Sequence, residues 1–218
     1  MTIVLNDILP GGQAQALYQA ACALPFEDGS KTAGRIAAQV KDNAQATDGA
    51  DTRAVLETAR RALLAHPVFT AMAYPRDFAR MIVSRTEGGG QYGDHVDNAL
   101  MGGARTDLSF TLFLSPPDSY DGGELVIADR VEDRAFKPGQ GGAVLYPSDT
   151  LHRVAPVTGG TRVVVVGWIT SHIRDPRQRE ILFDLWQAVT AAEAAGDADQ
   201  VQLLSKSRSN LLRMWAGL

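Results

Sequence analysis

Between Arg76 and His172 the chain reads as one short strand after another, and that run most limits the folds open to it. Phe78 to Thr86, Asp107 to Leu114, Glu124 to Ala128, Gly142 to Tyr146, Leu151 to Val157 and Arg162 to Ser171 are β-branched or alternating. Clusters of Gly, Pro, Asp and Ser separate them. Many short strands at such spacing build sandwiches and jelly rolls. No helix-length segment lies between them, so the crossovers of a parallel α/β sheet have nothing to run through.

The flanks read as helices. A short apolar strand at Thr2 to Leu5 precedes Gln13 to Leu24, where Ala16, Leu17, Ala20 and Ala23 recur at helical spacing. Asp51 is placed to cap a helix reaching His66, and Pro67 ends it. Near the other end Asp175 caps with Pro176 at the first helical position, and Ile181, Leu182, Leu185, Trp186 and Val189 share a face. Gly196 and Asp197 interrupt, and a second helix carries Val201, Leu204, Leu211 and Trp215. The expected organisation is a helical and strand segment over 1–75 packed on the core, a β core over 76–172, and a helical extension over 173–218. The fold class is mainly β with flanking helices. A homodimer through the terminal helices is the preferred assembly.

With 218 residues, 45% of them hydrophobic, the chain can bury one sizeable core. Its net charge of −4 offers no positive field to nucleic acid or to an anionic membrane. Cys22 is the only cysteine, cannot pair within the chain, and reads as part of a buried helical face. A reducing, cytoplasmic setting is expected. The start MTIVLNDILPGG lacks the basic and apolar regions of a secretory signal, and the longest apolar run, Val163 to Ile169, is too short to span a bilayer.

The chemistry is carried by His95-Val96-Asp97. Two residues apart on an extended chain, both side chains leave the same face and can share one ion. His152, opening a later strand, is placed to return as a third ligand. Two imidazoles and one carboxylate on one side of an octahedral ion suit non-haem Fe(II). Ten residues on, Arg162 opens the apolar strand RVVVVGWIT, and its forked guanidinium matches a carboxylate such as the distal end of 2-oxoglutarate. A lone His-x-Asp triplet more often caps a turn, and a lone arginine more often faces solvent. Their joint occurrence in this order on strands favours a metal site.

Tyr92-Gly93-Asp94-His95-Val96-Asp97, Asp107-Leu-Ser-Phe-Thr-Leu-Phe-Leu, Gly122-Gly123-Glu124-Leu125, Leu145-Tyr146-Pro147-Ser148, Leu151-His152-Arg153-Val154 and Arg162 together resemble the PKHD-type hydroxylases. These are bacterial relatives of the prolyl-4-hydroxylase branch of the Fe(II)/2-oxoglutarate-dependent dioxygenases. The resemblance continues through Thr32-Ala33-Gly34, Gln39-Val40-Lys41-Asp42-Asn43 and Ile173-Arg174-Asp175. It implies a double-stranded β-helix (jelly roll) core, Fe(2+) held by His95, Asp97 and His152, and 2-oxoglutarate held by Arg162. It further implies L-ascorbate as reductant, O2 as co-substrate, and hydroxylation of a small-molecule or peptide substrate with release of succinate and CO2. A link to iron uptake follows from the family's associations. Where many relatives carry a serine two residues after the arginine, this chain has Val164, so a second donor to the same carboxylate must come from elsewhere.

Other residues leave alternatives open. Tyr92 is either a hydrogen-bonding group of the site or a core tyrosine. Ser109 and Thr111 share a strand face and either line the pocket or fill the pleat, and Tyr146 is similarly placed. Gly88, Gly90 and Gly93 spell G-x-G-x-x-G, but they run into the His-x-Asp strand rather than opening a helix, which argues against dinucleotide binding. Asn98 to Arg105 reads as a lid or as an ordinary surface loop. His66 and His172 are expected to be structural and solvated, and Lys206, Arg208 and Arg213 to form a solvated helix face. The rival readings are a cupin-like metal hydrolase or isomerase with the same triad, and a non-catalytic module that responds to metal or 2-oxoglutarate.

Overall fold

The computed structural model describes residues 1–29, 40–129 and 131–217. Thr32, Ala33, Gly34 and Gln39 of the motif series lie outside the described residues. The amino-terminal part runs β1 (Ile3–Leu5), α1 (Gly11–Cys22), β2 (Phe26–Asp28), β3 (Ala44–Ala46), α2 (Ala50–Ala65) and α3 (Pro67–Ala73). The strands that follow are β4 (Pro75–Glu87), β5 (Tyr92–His95), β6 (Leu100–Met101), β7 (Ala104–Arg105), β8 (Leu108–Phe113), β9 (Tyr120–Gly122) and β10 (Leu125–Ala128). Then come β11 (Asp133–Phe136), β12 (Ala143–Pro147), β13 (His152–Val154) and β14 (Val157–Ser171), before helices α4 (Pro176–Ala195) and α5 (Ala198–Trp215).

Antiparallel pairing gathers the strands into a major sheet ordered β1-β12-β8-β14-β4-β3-β2, with β9 added along β14, and a minor sheet ordered β11-β10-β13-β5. The two sheets form the jelly roll.

The apolar run in β14 is continuous because both faces of the major sheet are covered. Val163, Val165 and Ile169 pack with Phe110, Leu112, Ala143 and Leu145 against the helices, where Leu17, Val55, Leu63 and Phe69 complete the larger core. The intervening Val164 turns the other way and joins Phe113, Val144 and Tyr146 against Leu125 and Ile127 of the minor sheet. Period two thus sorts one strand between two cores. Phe110 is 1% exposed, and truncating such a side chain to alanine would cost about 3–5 kcal/mol.

Several local expectations are corrected. Helix α1 buries Ala14, Leu17 and Ala21, leaving Ala16, Ala20 and Ala23 outside, and Cys22 is exposed. The buried stripe follows the docking side on the sheet, which the near-uniform alanine pattern does not specify. Helix α2 is capped by Gly49, with Asp51 in its first turn, and its buried Thr52, Val55, Ala59 and Leu63 follow helical period. His66 lies between α2 and α3, and its Nδ1 accepts from the Phe69 N–H at 3.3 Å. In α4 Leu182, Phe183 and Val189 are buried while Ile181 is 46% exposed. Helix α5 buries no residue fully, and its main packing partner is α4. Arg208 is not merely solvated, since its Nε donates to the Tyr74 hydroxyl at 3.0 Å. His172 is exposed.

Candidate metal centre

The site lies between the sheets, on the face of β14 that carries Arg162, Val164, Val166 and Trp168. Their register partners on β4 are Thr86, Ser84, Ile82 and Arg80. From β8, Ser109 pairs with Trp168 and Thr111 with Val166, and Tyr146 of β12 pairs with Ser109. Opposite, His152 of β13 is the register partner of His95 of β5. Strand β5 ends at His95, so Asp97 lies just beyond it rather than on a continuing strand. The turn still brings its carboxylate inward.

Each imidazole is oriented by backbone close to it in sequence. Nδ1 of His95 lies 2.8 Å from the carbonyl oxygen of Gly93, and Nδ1 of His152 lies 2.9 Å from that of Thr150. A carbonyl only accepts, so the proton sits on Nδ1 and each Nε2 keeps its lone pair. Both Nε2 atoms face Asp97, at 3.9 Å from Oδ1 for His95 and 3.8 Å from Oδ2 for His152. Ser109 Oγ donates to Asp97 Oδ2 at 2.6 Å and is 2.8 Å from Ser148 Oγ. Fixing the ligands through outer hydrogen bonds in this way is characteristic of metal sites. One ligand atom from each of His95, Asp97 and His152 lies within 4.8 Å of the others, so the three could hold one ion.

Electrostatics agree with that use. Burial, reinforced by the neighbouring His152, pushes His95 down to about 4 and keeps it a neutral donor. The Tyr92 ring stacks on His95 at 3.6 Å between centroids, and burial with help from Asp97 pushes its hydroxyl up to about 12. Tyr146 meets the His152 ring edge-on at 4.9 Å, and burial raises its hydroxyl well above the ordinary value.

Arg162 opens onto the same cavity, of about 130 Å³, with only 2% of its surface exposed. Its guanidinium lies 5.2 Å from the Phe113 ring centroid, and its Nε has no hydrogen-bond partner. Burial lowers its pKa, opposed by Tyr120, Tyr146 and Glu124. Gly123, at φ +68°, permits this packing, because a Cβ there would meet Arg162 Cδ at 2.8 Å. A buried guanidinium that is not fully paired is costly unless a ligand completes it.

The structure brings His95, Asp97, His152, Arg162 and Tyr92 to one cavity. It resolves two open readings: Thr111 and Tyr146 line the cavity, and Ser109 bonds a candidate ligand. Asn98 to Arg105 forms the β6–β7 hairpin, whose turn residues Gly102 and Gly103 have φ +58° and +83°, with Met101 against the cavity. Gly88 and Gly89 turn the chain between β4 and β5, and no helix follows them. Sequence reasoning missed Lys41, Asn43, Gln45, Arg80 and Trp168 in the lining. Alternation along β4 and β14 was the available signal for Arg80 and Trp168.

A family model described as 2OG-Fe(II) oxygenase superfamily matches residues 81–170. The chain is similar to a PKHD-type hydroxylase of Maricaulis maris, 48% identical over 217 residues and 99% of each chain. It is also similar to one of Acaryochloris marina, 44% identical over 220 residues, covering 99% of this chain and all of that one. Among solved structures it resembles a prolyl hydroxylase from Trichoplax adhaerens in complex with a hypoxia inducible factor oxygen degradation domain peptide. That likeness has a TM-score of 0.59 at 14% identity, covering 77% of this chain and 83% of that one. A prolyl-4-hydroxylase of Pseudomonas putida gives a TM-score of 0.55 at 18% identity, covering 78% and 92%. At such identities the structural likeness speaks to the fold.

Proposed function

The chain belongs to the PKHD-type hydroxylases of the 2OG-Fe(II) oxygenase superfamily, and from that premise we propose that it is a 2-oxoglutarate-dependent dioxygenase whose iron is held by His95, Asp97 and His152. Arg162 binds the distal carboxylate of 2-oxoglutarate, and Tyr92 borders the co-substrate.

One observation carries this reading over a metal hydrolase with the same triad. A guanidinium 2% exposed, with an unpartnered Nε, shares the cavity with the three ligands. A hydrolase needs only water at the ion, whereas a buried fork calls for a carboxylate. The donor set fits Fe(II), since two imidazole nitrogens and one carboxylate oxygen converge from one side.

Bound Fe(II) and 2-oxoglutarate supply the oxidising chemistry, in which decarboxylation to succinate and CO2 is coupled to transfer of one oxygen atom of O2 to substrate carbon. The chain's own part is positioning and exclusion. Backbone carbonyls of Gly93 and Thr150 hold the imidazoles in the metal-binding tautomer, and Ser109 orients the Asp97 carboxylate. Ile82, Leu125, Val154 and Val166 keep the wall of the cavity apolar, which favours a reaction on substrate over one on solvent.

The same reading takes 76–172 as the catalytic core, with 1–75 and 173–218 flanking it, and extends on the family resemblance to L-ascorbate as reductant, a homodimer, a cytoplasmic setting and a role connected with iron uptake. Among the described residues no helix is long and apolar enough to cross a membrane.

Anaerobic addition of Fe(II) and 2-oxoglutarate tests the core of the proposal. A visible metal-to-ligand charge-transfer band is expected, lost at low co-substrate in Arg162→Ala, together with O2-dependent succinate release that Asp97→Ala lacks. A band unaffected by Arg162→Ala would refute the co-substrate assignment.

A further inference from the structure

Gly88 and Gly89 turn the chain ahead of β5, but Gly90 and Gly93 have no positive φ to account for them. What they have is a close neighbour from far upstream. A Cβ at Gly90 would meet the carbonyl oxygen of Asp42 at 2.7 Å, and one at Gly93 would meet Cβ of Val40 at 2.8 Å. Glycine at these positions lets another stretch of backbone approach. That stretch, residues 40–46, lies along β5 as a strap. The Val40 carbonyl accepts from the Gly93 N–H at 2.9 Å, the Asp42 N–H donates to the Gln91 carbonyl at 2.8 Å, and Lys41 forms a β-bridge with Tyr92. Farther on the strap becomes β3, pairing Ala44 with Arg85 and Gln45 with Ser84 of β4, while Asn43 Nδ2 donates to Ser84 Oγ at 2.6 Å. Since β4 belongs to the major sheet and β5 to the minor one, the strap ties the two sheets together beside the cavity that Lys41, Asn43 and Gln45 help to line.

Two routes carry the strap's position to a candidate metal ligand. The first runs through residue 93 itself. Its N–H is held by Val40, and its carbonyl is the group that lies 2.8 Å from His95 Nδ1. A residue fixed by the strap on one side therefore fixes the imidazole on the other. The second route runs through rings: Lys41 Nζ lies 5.3 Å from the centroid of Tyr92, whose ring stacks on His95 at 3.6 Å. His152 is served differently, by the Thr150 carbonyl at 2.9 Å. Among the described residues the strap pairs with β4 and β5, not with the β13 strand that carries His152.

We propose that Val40 and Gly93 are positioning residues of the metal centre: the strap, seated on Gly93, holds the peptide group that aims His95, so that affinity for the ion depends on a segment far upstream in sequence. The proposal rests on the metal-centre reading above. An outer partner that orients a ligand is worth about 10–100-fold in metal affinity. Linkage makes the coupling reciprocal, so a strap that strengthens ion binding must itself be stabilised by the ion to the same extent. The relay reaches one imidazole and leaves the other as an internal reference.

The test uses the full chain with Co(II) as the probe ion. Gly93→Ala should weaken Co(II) binding by about tenfold. In the metal-free protein the same variant should move the imidazole nitrogen resonances of His95 toward a mixture of tautomers, while those of His152 keep the Nδ1–H form. Val40→Gly removes the side-chain atoms that the new Cβ would meet, so in the double variant both readouts should return toward those of the unaltered chain. Full Co(II) affinity in Gly93→Ala, a loss that Val40→Gly does not restore, or equal disturbance of both histidines would overturn the proposal. Amide hydrogen exchange on the unaltered chain needs no variant to fold: Co(II) should slow exchange at Gly93 and Asp42, and rates unchanged by the ion would count equally against the strap. An unaltered chain that takes up no Co(II) would sink the metal-centre reading instead, and the His95 tautomer in the metal-free variants would still decide whether the strap aims that ring.

Discussion

The inner and outer ends of this cavity are built differently. At the ion end the side chains of His152 and Asp97 are 4% and 6% exposed, and both imidazoles and the carboxylate carry an outer hydrogen bond that sets their orientation. At the mouth Arg80 is exposed and Lys41 is half-buried. The inner end is preorganised for one geometry, while the outer end is open to solvent and less constrained.

The comparison breaks most readily at the proposed ligands. His152→Ala or Asp97→Ala should weaken Fe(II) binding by at least about 100-fold, more than losing an outer partner does, and abolish succinate formation; metal titration followed by turnover checks this. Arg162→Ala comes next. Removing one partner of a buried charge pair costs about 2–5 kcal/mol, so KM for 2-oxoglutarate should rise at least about 30-fold with the ion still bound.

Ser109→Ala sharpens the contrast rather than breaking it. The Asp97 carboxylate loses a 2.6 Å donor, and metal affinity should fall by about tenfold, measured by competition with a chelator. An unchanged affinity would mean that packing alone orients Asp97.

The smallest effect belongs to the mouth and depends on pH. Burial, then the nearby Arg80, lowers Lys41 from 10.5 to about 8, opposed by Asp28 and Asp97; the neighbouring His95 is neutral in this range. Below pH 8 the lysine is charged in both folded and unfolded chains, and the folded state bears the penalty. Between about 8 and 10.5 only the unfolded chain keeps the proton, so stability rises with pH there. Lys41→Gln should therefore melt above the unaltered protein at pH 7, with the gap closing as pH climbs toward 10.5, as calorimetry across that range would show.

What could be read beforehand divides along physical lines. Strands β4, β8, β10, β12 and β14 were legible because alternation or β-branching repeats over four or more residues, whereas β6, β7 and β9, of two or three residues, carry no period, and the segment read as one strand from Leu151 to Val157 divides into the three-residue β13 and the start of β14. That His95, Asp97, His152 and Arg162 would meet in one cavity was legible because few residue types bind metals or carboxylates and their order along strands is restrictive. Lys41 and Arg80 were not, because ordinary cations on a chain say nothing of which cavity they enter.

The amino-acid order by itself determined local conformation and which side chains could serve as ligands, since periodicity and donor chemistry are properties of neighbouring residues. The tertiary structure decided the rest: which face of α1 is covered, that Ser109 secures Asp97, and that Arg80 stands beside Trp168. Those outcomes depend on which distant strands pair and in what register, and a one-residue slip would reverse every face.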